Sequence, residues 1–290
     1  MDRSAYLLVV PLVAILGLVE IYPMAVSAYL SLTDYGRGGA FVGLSNYISL
    51  FSQNAFWAAI STSVLYASGS AALSTTLGIL SAYLLTQVKR GRGYFEAVFL
   101  MPLAAAPIVA GVVWAPAAVW DDINTFWHYI LDQPFFNVTS HQVFFPIMIL
   151  SDSWEWAPMI MLVALSVLAS VPRPVYEASE AFGASKWKAF TSVGLPAILN
   201  SPVIHFMILI RFVDAMRAFE IPFAWSGWLA YSQPGSPTDT LSLYMFKLLL
   251  NPPSGVIPIS LISAAALVLL AATLAVTILL FRVMRRLRKI

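Results

Sequence analysis

The sequence predicts an all-α membrane protein with about six transmembrane helices, and three observations support this. Of the 290 residues, 60% are hydrophobic and only 10% are charged, whereas a soluble domain carries about 25% charged residues. Apolar runs long enough to cross a bilayer recur along the whole chain, and most basic residues lie between those runs. This distribution indicates several membrane spans instead of one anchor on a soluble domain.

A membrane-spanning helix needs about 20 mostly apolar residues, and six segments meet this requirement. They are predicted at 5–31, 58–86, 95–118, 145–170, 197–219 and 256–281. The first is longer than the apolar region of a cleaved signal peptide, which has about 7–15 residues, so we interpret it as a retained span. Glu20 lies inside it and is interpreted as a helix–helix contact. Together the spans are expected to form a single transmembrane domain over residues 1–290.

The Lys and Arg residues predict the orientation, because cytoplasmic loops are enriched in them. On one side of the predicted membrane lie Arg3, Lys89, Arg90, Arg92, Arg173, Lys186, Lys188, Arg282, Arg285, Arg286, Arg288 and Lys289. The loops of the opposite side carry Asp34, Asp121, Asp122, Asp132 and Asp239. We therefore expect a multi-pass protein of the cell membrane, plasma or inner, with both termini in the cytoplasm.

The predicted cytoplasmic segment 171–196, between the fourth and fifth spans, is neither apolar enough to span nor of low complexity. It reads VPRPVYEASEAFGASKWKAFTSVGLP. Pro172 and Pro174 suit the first turn of a new helix, and Gly183 can end or bend that helix. The residues alone are equally consistent with a helix at the lipid interface and with a protein docking site that combines aromatic and charged side chains.

The spacing of nine residues in this segment resembles the "EAA" loop of permease subunits from binding-protein-dependent ABC importers. These residues are Glu177, Ala178, Ser179, Gly183, Ala184, Trp187, Phe190, Leu195 and Pro196. The segments 41–47, 96–102 and 219–244 are similar to the carbohydrate branch of the same family. Phe182 and Ser179 depart from the usual Asp and second Ala. The resemblance implies a coupling helix that docks on a nucleotide-binding subunit.

The resemblance also implies the partners of the chain. They are a second permease subunit, two nucleotide-binding ATPase subunits, an extracellular solute-binding protein that the external loop 221–251 helps to receive, and the lipid bilayer, with no nucleic acid. The sequence contains no G-x-x-x-x-G-K-[ST] phosphate loop. We therefore expect no enzymatic activity, no cofactor and no metal site in this chain, with ATP and Mg bound by the partner ATPase subunits.

Ionisable residues inside two predicted spans are candidates for a substrate path. Such groups are costly in a bilayer and usually face the bundle interior or water. The fourth span also carries Asp152, and the candidate path residues are Trp154, Glu155, Trp156, Arg211, Asp214, Arg217 and Glu220. Ion pairs that lock neighbouring helices, with an interfacial Trp belt, explain these residues equally well, so both interpretations stay open.

These observations bear on three classes of function. The resemblance favours import of a mono- or disaccharide, and the two membrane arginines leave glycerol phosphate or another small polar solute as an alternative. A self-sufficient secondary transporter often shows inverted repeats, and we find no convincing internal repeat. An integral membrane enzyme would need a catalytic set of side chains, which cannot be assembled from the three His residues.

Overall fold

The computed structural model describes residues 3–35, 38–115, 121–131, 141–226, 234–236, 238–252 and 255–287. Within these ranges the β structure is one isolated antiparallel bridge between Thr33 and Phe41. The helices are α1 (Arg3–Leu16), α2 (Tyr22–Ser31), α3 (Ser45–Phe51), α4 (Asn54–Gln87), α5 (Arg92–Leu100), α6 (Pro107–Trp114), α7 (Asp121–Leu131), α8 (His141–Ser170), α9 (Arg173–Ala181), α10 (Lys186–Ala189), α11 (Leu195–Leu199), α12 (Pro202–Met216), α13 (Glu220–Ser226), α14 (Leu241–Leu250) and α15 (Ile259–Leu287). The predicted all-α fold class is confirmed.

Four of the predicted spans are continuous apolar helices in the structure. They are Val10–Ser31, Asn54–Gln87, Phe144–Ser170 and Ile259–Arg282. A widened π-helical turn joins α1 to α2 over Gly17–Ile21 without interrupting the first of them. Each is long enough to cross the hydrocarbon core.

The prediction of one continuous helix for the third span, 95–118, is wrong. Its helical arms Arg92–Ala104 and Pro107–Trp114 meet at an angle of 96°. Ala106, directly before Pro107, has an extended backbone with ψ 143°, because the proline ring disfavours the helical conformation of the residue that precedes it. Residues 116–118 lie outside the described part of the chain.

The fifth predicted span, 197–219, is also bent. The arms Lys186–Leu199 and Pro202–Met216 meet at 66°, and Ser201 before Pro202 is extended with ψ 126°. The helical arm therefore begins eleven residues before the predicted start. As a result, the second half of segment 171–196 continues directly into the first arm of this span.

The chain packs into two compact units. The first consists of Met1–Ile60 and Tyr231–Ala272, and the second of Ser61–Ala230 and Thr273–Ile290. In the second unit, α4 and α8 approach so closely that a Cβ atom on Gly78 would lie 2.7 Å from the Ile160 Cβ and 2.8 Å from the Ala157 carbonyl oxygen. Small residues allow this close approach of membrane helices.

In the first unit, a buried ion pair fixes the loop before α14. The Asp239 carboxylate accepts hydrogen bonds from the backbone N–H groups of Gly235 and Ser236, both at 3.0 Å. Its other oxygen lies 2.8 Å from the Lys247 Nζ, and both side chains are fully buried. The pair therefore joins the segment before α14 to α14 itself, within the predicted external loop 221–251.

Candidate functional site

A cavity of about 410 Å³ lies in the second unit. It is bordered by α4, the start of α6, α8 and the segment that joins α12 to α13. Its ionisable and aromatic lining includes Tyr66, Asp152, Glu155, Trp156, Asp214, Arg217, Phe219 and Glu220. The structure thus brings most of the candidate path residues from two spans to one space.

Arg211 connects α12 to α8 beside this cavity. Its fully buried guanidinium forms an ion pair with Asp152, and its Nη1 donates a hydrogen bond to Asp214 Oδ2 at 3.2 Å. The guanidinium carbon also lies 5.0 Å from the centre of the Trp156 ring, within range of a cation–π interaction. Arg211 therefore has the locking contacts of a structural residue, whereas its two acidic partners line the cavity.

Two buried polar atoms in the cavity lining have no hydrogen-bond partner among the described residues. They are Glu155 Oε2 and the Tyr66 hydroxyl. A buried polar group without a partner costs free energy, and a solute or water in the cavity is placed to supply one. Glu155 Oε2 is therefore a buried acceptor at the cavity without a donor from the described residues.

Carboxylates outnumber guanidinium groups around the cavity. The acids are Asp152, Glu155, Asp214 and Glu220, and the bases are Arg217 in the lining and Arg211 beside it. Asp214 lies between both bases, 3.2 Å from Arg211 and 4.0 Å from Arg217. The positive charge that suggested an anionic solute is thus largely compensated inside the protein.

Trp154 does not take part in this arrangement as the sequence suggested. Its ring contacts that of Trp114, with the ring centres 5.8 Å apart, while Trp156 on the same helix faces the cavity. Tyr66 lies on α4, and sequence spacing gave no reason to connect it with the charged residues of α8 and α12. Only the packing of the helices reveals it as a cavity residue.

The predicted coupling segment forms two short helices, α9 and α10, with a tight turn between them. Gly183 has a left-handed backbone with φ +81°, which favours glycine because it lacks a Cβ atom. Its N–H donates to the Glu180 carbonyl at 2.9 Å, and the Ala184 N–H donates to the Ser179 carbonyl at 3.1 Å. The Ser185 hydroxyl then caps α10 by accepting from the Lys188 N–H.

The aromatic residues of this segment divide between its inner and outer faces. Phe190 is buried, and its ring centre lies 4.5 Å from that of Tyr83 on α4. Trp187 also contacts Tyr83, at 5.0 Å, but remains 51% exposed. Phe182 is 94% exposed at the tip of the turn. Phe190 therefore attaches the segment to its own chain, whereas Phe182, which the sequence marked only as a departure from a motif, is its most exposed aromatic residue.

The remaining motif residues show the same division. Glu177 is exposed and pairs with Arg173 one turn earlier, at 2.9 Å; Ala178 and Pro196 are exposed too. Ser179, Ala184 and Leu195 are partly buried. Partial burial also raises the pKa of the Tyr176 phenol on this inner side.

Residues 74–289 match the family described as "Binding-protein-dependent transport system inner membrane component". The chain belongs to this family. The matched region contains the coupling segment and all the cavity residues named above except Tyr66, whereas α1 to α3 and the first part of α4 precede it. The protein is therefore the membrane-spanning permease component of a transport system.

Named relatives of this permease include two kinds of transporter. It is 30% identical over 253 residues to the trehalose/maltose transport system permease protein MalF of Thermococcus litoralis, covering 84% of this chain and 83% of that protein. It is 27% identical over 288 residues to the sn-glycerol-3-phosphate transport system permease protein UgpA of Yersinia enterocolitica, covering 97% and 94%.

The fold of the permease is similar to that of a solved transporter. A chain of a bacterial ABC transporter involved in the import of the acidic polysaccharide alginate aligns with a TM-score of 0.77 and 21% identity, covering 98% of this chain and 96% of that one. The same transporter solved with an alginate pentasaccharide-bound periplasmic protein aligns with the same TM-score. At this identity the similarity establishes the fold.

Proposed function

We propose that this permease imports a neutral saccharide, a mono- or disaccharide, that an extracellular binding protein delivers. Import is driven by ATP hydrolysis on two separate nucleotide-binding subunits, which hold the ATP and Mg. A second permease subunit completes the path. The family, the relative named for trehalose and maltose, and the lack of a phosphate loop in the sequence support this proposal.

We choose a neutral saccharide as the solute because of the charge and the side-chain chemistry of the cavity. An excess of carboxylates, with both arginines close to Asp214, opposes a phosphate or another anion. Sugar hydroxyls donate hydrogen bonds to carboxylates such as the unpartnered Glu155 Oε2, and the C–H face of a sugar ring packs on an aromatic ring such as Trp156. The volume of 410 Å³ falls within the range of about 300–1,000 Å³ for small-molecule sites.

The coupling role is assigned to the exposed face of α9, α10 and their turn. Interface anchors are most often large side chains that become fully buried on binding, and Phe182 and Trp187 offer such side chains on the surface. Glu177 supplies a carboxylate that can exchange its exposed partner Arg173 for a base on the ATPase subunit. We place this face, and both chain termini, in the cytoplasm.

The opposite side of the membrane receives the binding protein in this proposal. The predicted external loop 221–251 includes α13 and α14, with Trp225 buried in the second unit; its residues 227–233 and 237 lie outside the described part of the chain. The buried Asp239–Lys247 pair gives the second half of this loop a fixed conformation, as a docking surface requires.

Uptake by the purified transporter in proteoliposomes tests this proposal. With ATP inside and the cognate binding protein outside, labelled maltose or trehalose should accumulate and glycerol 3-phosphate should not. Glu155→Ala should reduce saccharide uptake about tenfold or more, the effect of losing about 1.4 kcal/mol of interaction with the solute, whereas Trp154→Phe, away from the cavity, should not.

Two outcomes would overturn the proposal in different ways. Faster uptake of the phosphate, with no effect of Glu155→Ala, would reject the neutral saccharide and restore the anionic alternative. ATP-independent uptake by this chain alone, driven by a proton or sodium gradient, would support a self-sufficient secondary transporter instead.

A further inference from the structure

A separate cavity of about 340 Å³ lies between the coupling segment and the spans of its own chain. It is lined by the last turns of α4 and α8, the first residue of α5, and residues of α9 and α10. This coupling-segment cavity shares no lining residue with the cavity of about 410 Å³ described above. Its volume is that of a small-molecule site, which typically measures about 300–1,000 Å³.

Hydrogen-bond donors line the coupling-segment cavity from four elements. Tyr83 lies on α4, Arg92 on α5, Tyr176 on α9 and Lys186 on α10. Within the described part of the chain, none of these four side chains forms a hydrogen bond or an ion pair. Four donors that face one space without acceptors of their own can all bind the same ligand.

The charge of this lining is the reverse of that around the first cavity. Among the described residues that line it, Glu180 is the single acid, whereas Arg92 and Lys186 are bases. Arg92 is also the first residue of α5, where the helix dipole disfavours a cation and favours a bound anion. The coupling-segment cavity is therefore suited to an anion.

A phosphate ester fits both halves of the lining. Its oxygens accept several hydrogen bonds at once, and both guanidinium and ammonium groups bind phosphate well. The apolar side chains of Leu165, Leu168 and Phe190 line the same space and offer contact to the organic group of the ester. An inorganic anion would leave this apolar surface unused.

We propose that the coupling-segment cavity binds a phosphate ester between Arg92 and Lys186, with the hydroxyl groups of Tyr83 and Tyr176 as further donors. The phosphate belongs either to the headgroup of an anionic phospholipid or to a soluble metabolite such as a sugar phosphate. The lipid source rests on the proposed placement of this face in the cytoplasm, because anionic headgroups there attract basic residues near the membrane. The site itself goes beyond the proposed function.

The position of the site connects it with the coupling segment. Lys186 begins the helical arm Lys186–Leu199, which contains a π-helical turn at Phe190–Gly194. A Cβ atom on Gly194 would lie 2.9 Å from Leu168 Cδ2 and 3.1 Å from the Tyr176 hydroxyl, so the arm packs tightly against α8 and α9 beside the cavity. A ligand held by both bases would attach α10 to α5 as well.

Retention of phospholipid by the assembled transporter tests the lipid source. The transporter is placed in nanodiscs of phosphatidylglycerol and phosphatidylcholine, and native mass spectrometry counts the phosphatidylglycerol that stays bound. The double variant Arg92→Gln, Lys186→Gln should lower this retention about tenfold, because two charge-assisted hydrogen bonds are lost. The matched control Arg90→Gln, Lys188→Gln removes the same charge from exposed neighbours outside the lining and should retain the lipid like the wild type.

Equilibrium dialysis with radiolabelled glucose 6-phosphate tests the soluble source. The transporter is then held in phosphatidylcholine nanodiscs without nucleotide. Phosphate sites on the ATPase subunits contribute equally in both double variants, so the difference between the variants isolates the coupling-segment cavity. A loss in the cavity variant alone assigns a soluble ester, whereas a loss confined to the lipid measurement assigns the phospholipid headgroup.

A filled cavity separates the site from surface charge. Ala169 lines the cavity at the end of α8, whereas its neighbour Ser170 does not, and both are exposed. Ala169→Phe keeps both bases and should lower ligand retention at least about fivefold by occupying the space, while Ser170→Phe should leave it unchanged. The melting temperature of each variant confirms that the transporter remains folded.

Three results would overturn the proposal. They are equal retention in the wild type and the Arg92→Gln, Lys186→Gln variant in both measurements, an equal loss in the Arg90→Gln, Lys188→Gln control, and full retention in Ala169→Phe. Because binding is measured without transport, the identity of the imported solute does not affect any of these outcomes.

Discussion

The wall of the cavity and the coupling segment each contain an Arg–carboxylate pair, but the two pairs lie in opposite environments. Arg211 and Asp152 are buried between α12 and α8, whereas Arg173 and Glu177 are both largely exposed on α9. Removing one partner of a buried pair leaves an uncompensated charge, while an exposed pair contributes little because water screens it. The same chemistry therefore fixes helices in one region and remains available to a partner protein in the other.

The buried pair should give the largest effect. Asp152→Ala leaves the Arg211 guanidinium buried with Asp214 as its remaining ion-pair partner, and we expect the free energy of unfolding to fall by about 3 kcal/mol. Thermal denaturation of the purified permease in detergent measures this. The double variant Asp152→Ala, Arg211→Met should recover part of the loss. A change below about 1 kcal/mol for the single variant would contradict the locking role.

The exposed aromatic residue of the coupling segment should affect binding without affecting stability. Phe182→Ala removes a side chain that is 94% exposed, so the melting temperature should not change. If Phe182 is an interface anchor, affinity for the ATPase subunit should fall by about 2 kcal/mol, measured by titration of the reconstituted permease. Phe182→Leu should keep most of the affinity, and equal affinity in all three proteins would exclude an anchor role.

The turn between α9 and α10 offers a backbone test. Gly183→Val forces a β-branched residue into a left-handed conformation, at a cost of about 1–2 kcal/mol. The distorted turn should uncouple hydrolysis from import, seen as more ATP hydrolysed per solute imported. Gly93→Val is the matched control, because a Cβ atom there meets nothing within 4 Å and no positive φ is required. If Gly183→Val left the ratio of ATP hydrolysed to solute imported unchanged, the turn would have no part in coupling.

The exposed ion pair should give the smallest effect. Arg173→Ala breaks a contact between two exposed side chains, and we expect the free energy of unfolding to change by about 0.5 kcal/mol or less. Thermal denaturation at low and high salt measures this change and its screening. If Arg173→Ala lowered the free energy of unfolding as much as Asp152→Ala does, the exposed pair and the buried pair would contribute equally to stability, and the contrast between the two regions would be wrong.

The sequence predicted the helices better than their bends. Apolar runs located the spans because a continuous helix of about 20 apolar residues is the simplest way to cross a bilayer. The bends before Pro107 and Pro202 were missed, because membrane helices often tolerate proline and sequence alone does not show where neighbouring helices compensate for it. Bending there depends on tertiary packing.

The candidate site was predicted in part for a related reason. Charge spacing identified Glu155, Asp214 and Glu220, since ionisable residues stand out in apolar spans. Tyr66 was missed because an aromatic residue in a span carries no comparable signal. Phe190 points into the core and Phe182 points outward because of the way the segment packs against α4. The spacing of the motif residues carries no information about this packing.

Cross-linking from position 182 tests most directly the claim that the exposed coupling segment grips the ATPase. In the cysteine-free chain, Phe182→Cys with a photoreactive label should form an adduct with the nucleotide-binding subunit while proteoliposomes import solute. The same label at Val203→Cys, exposed on α12, should form none. Import at a normal rate with no adduct at position 182 would contradict the account.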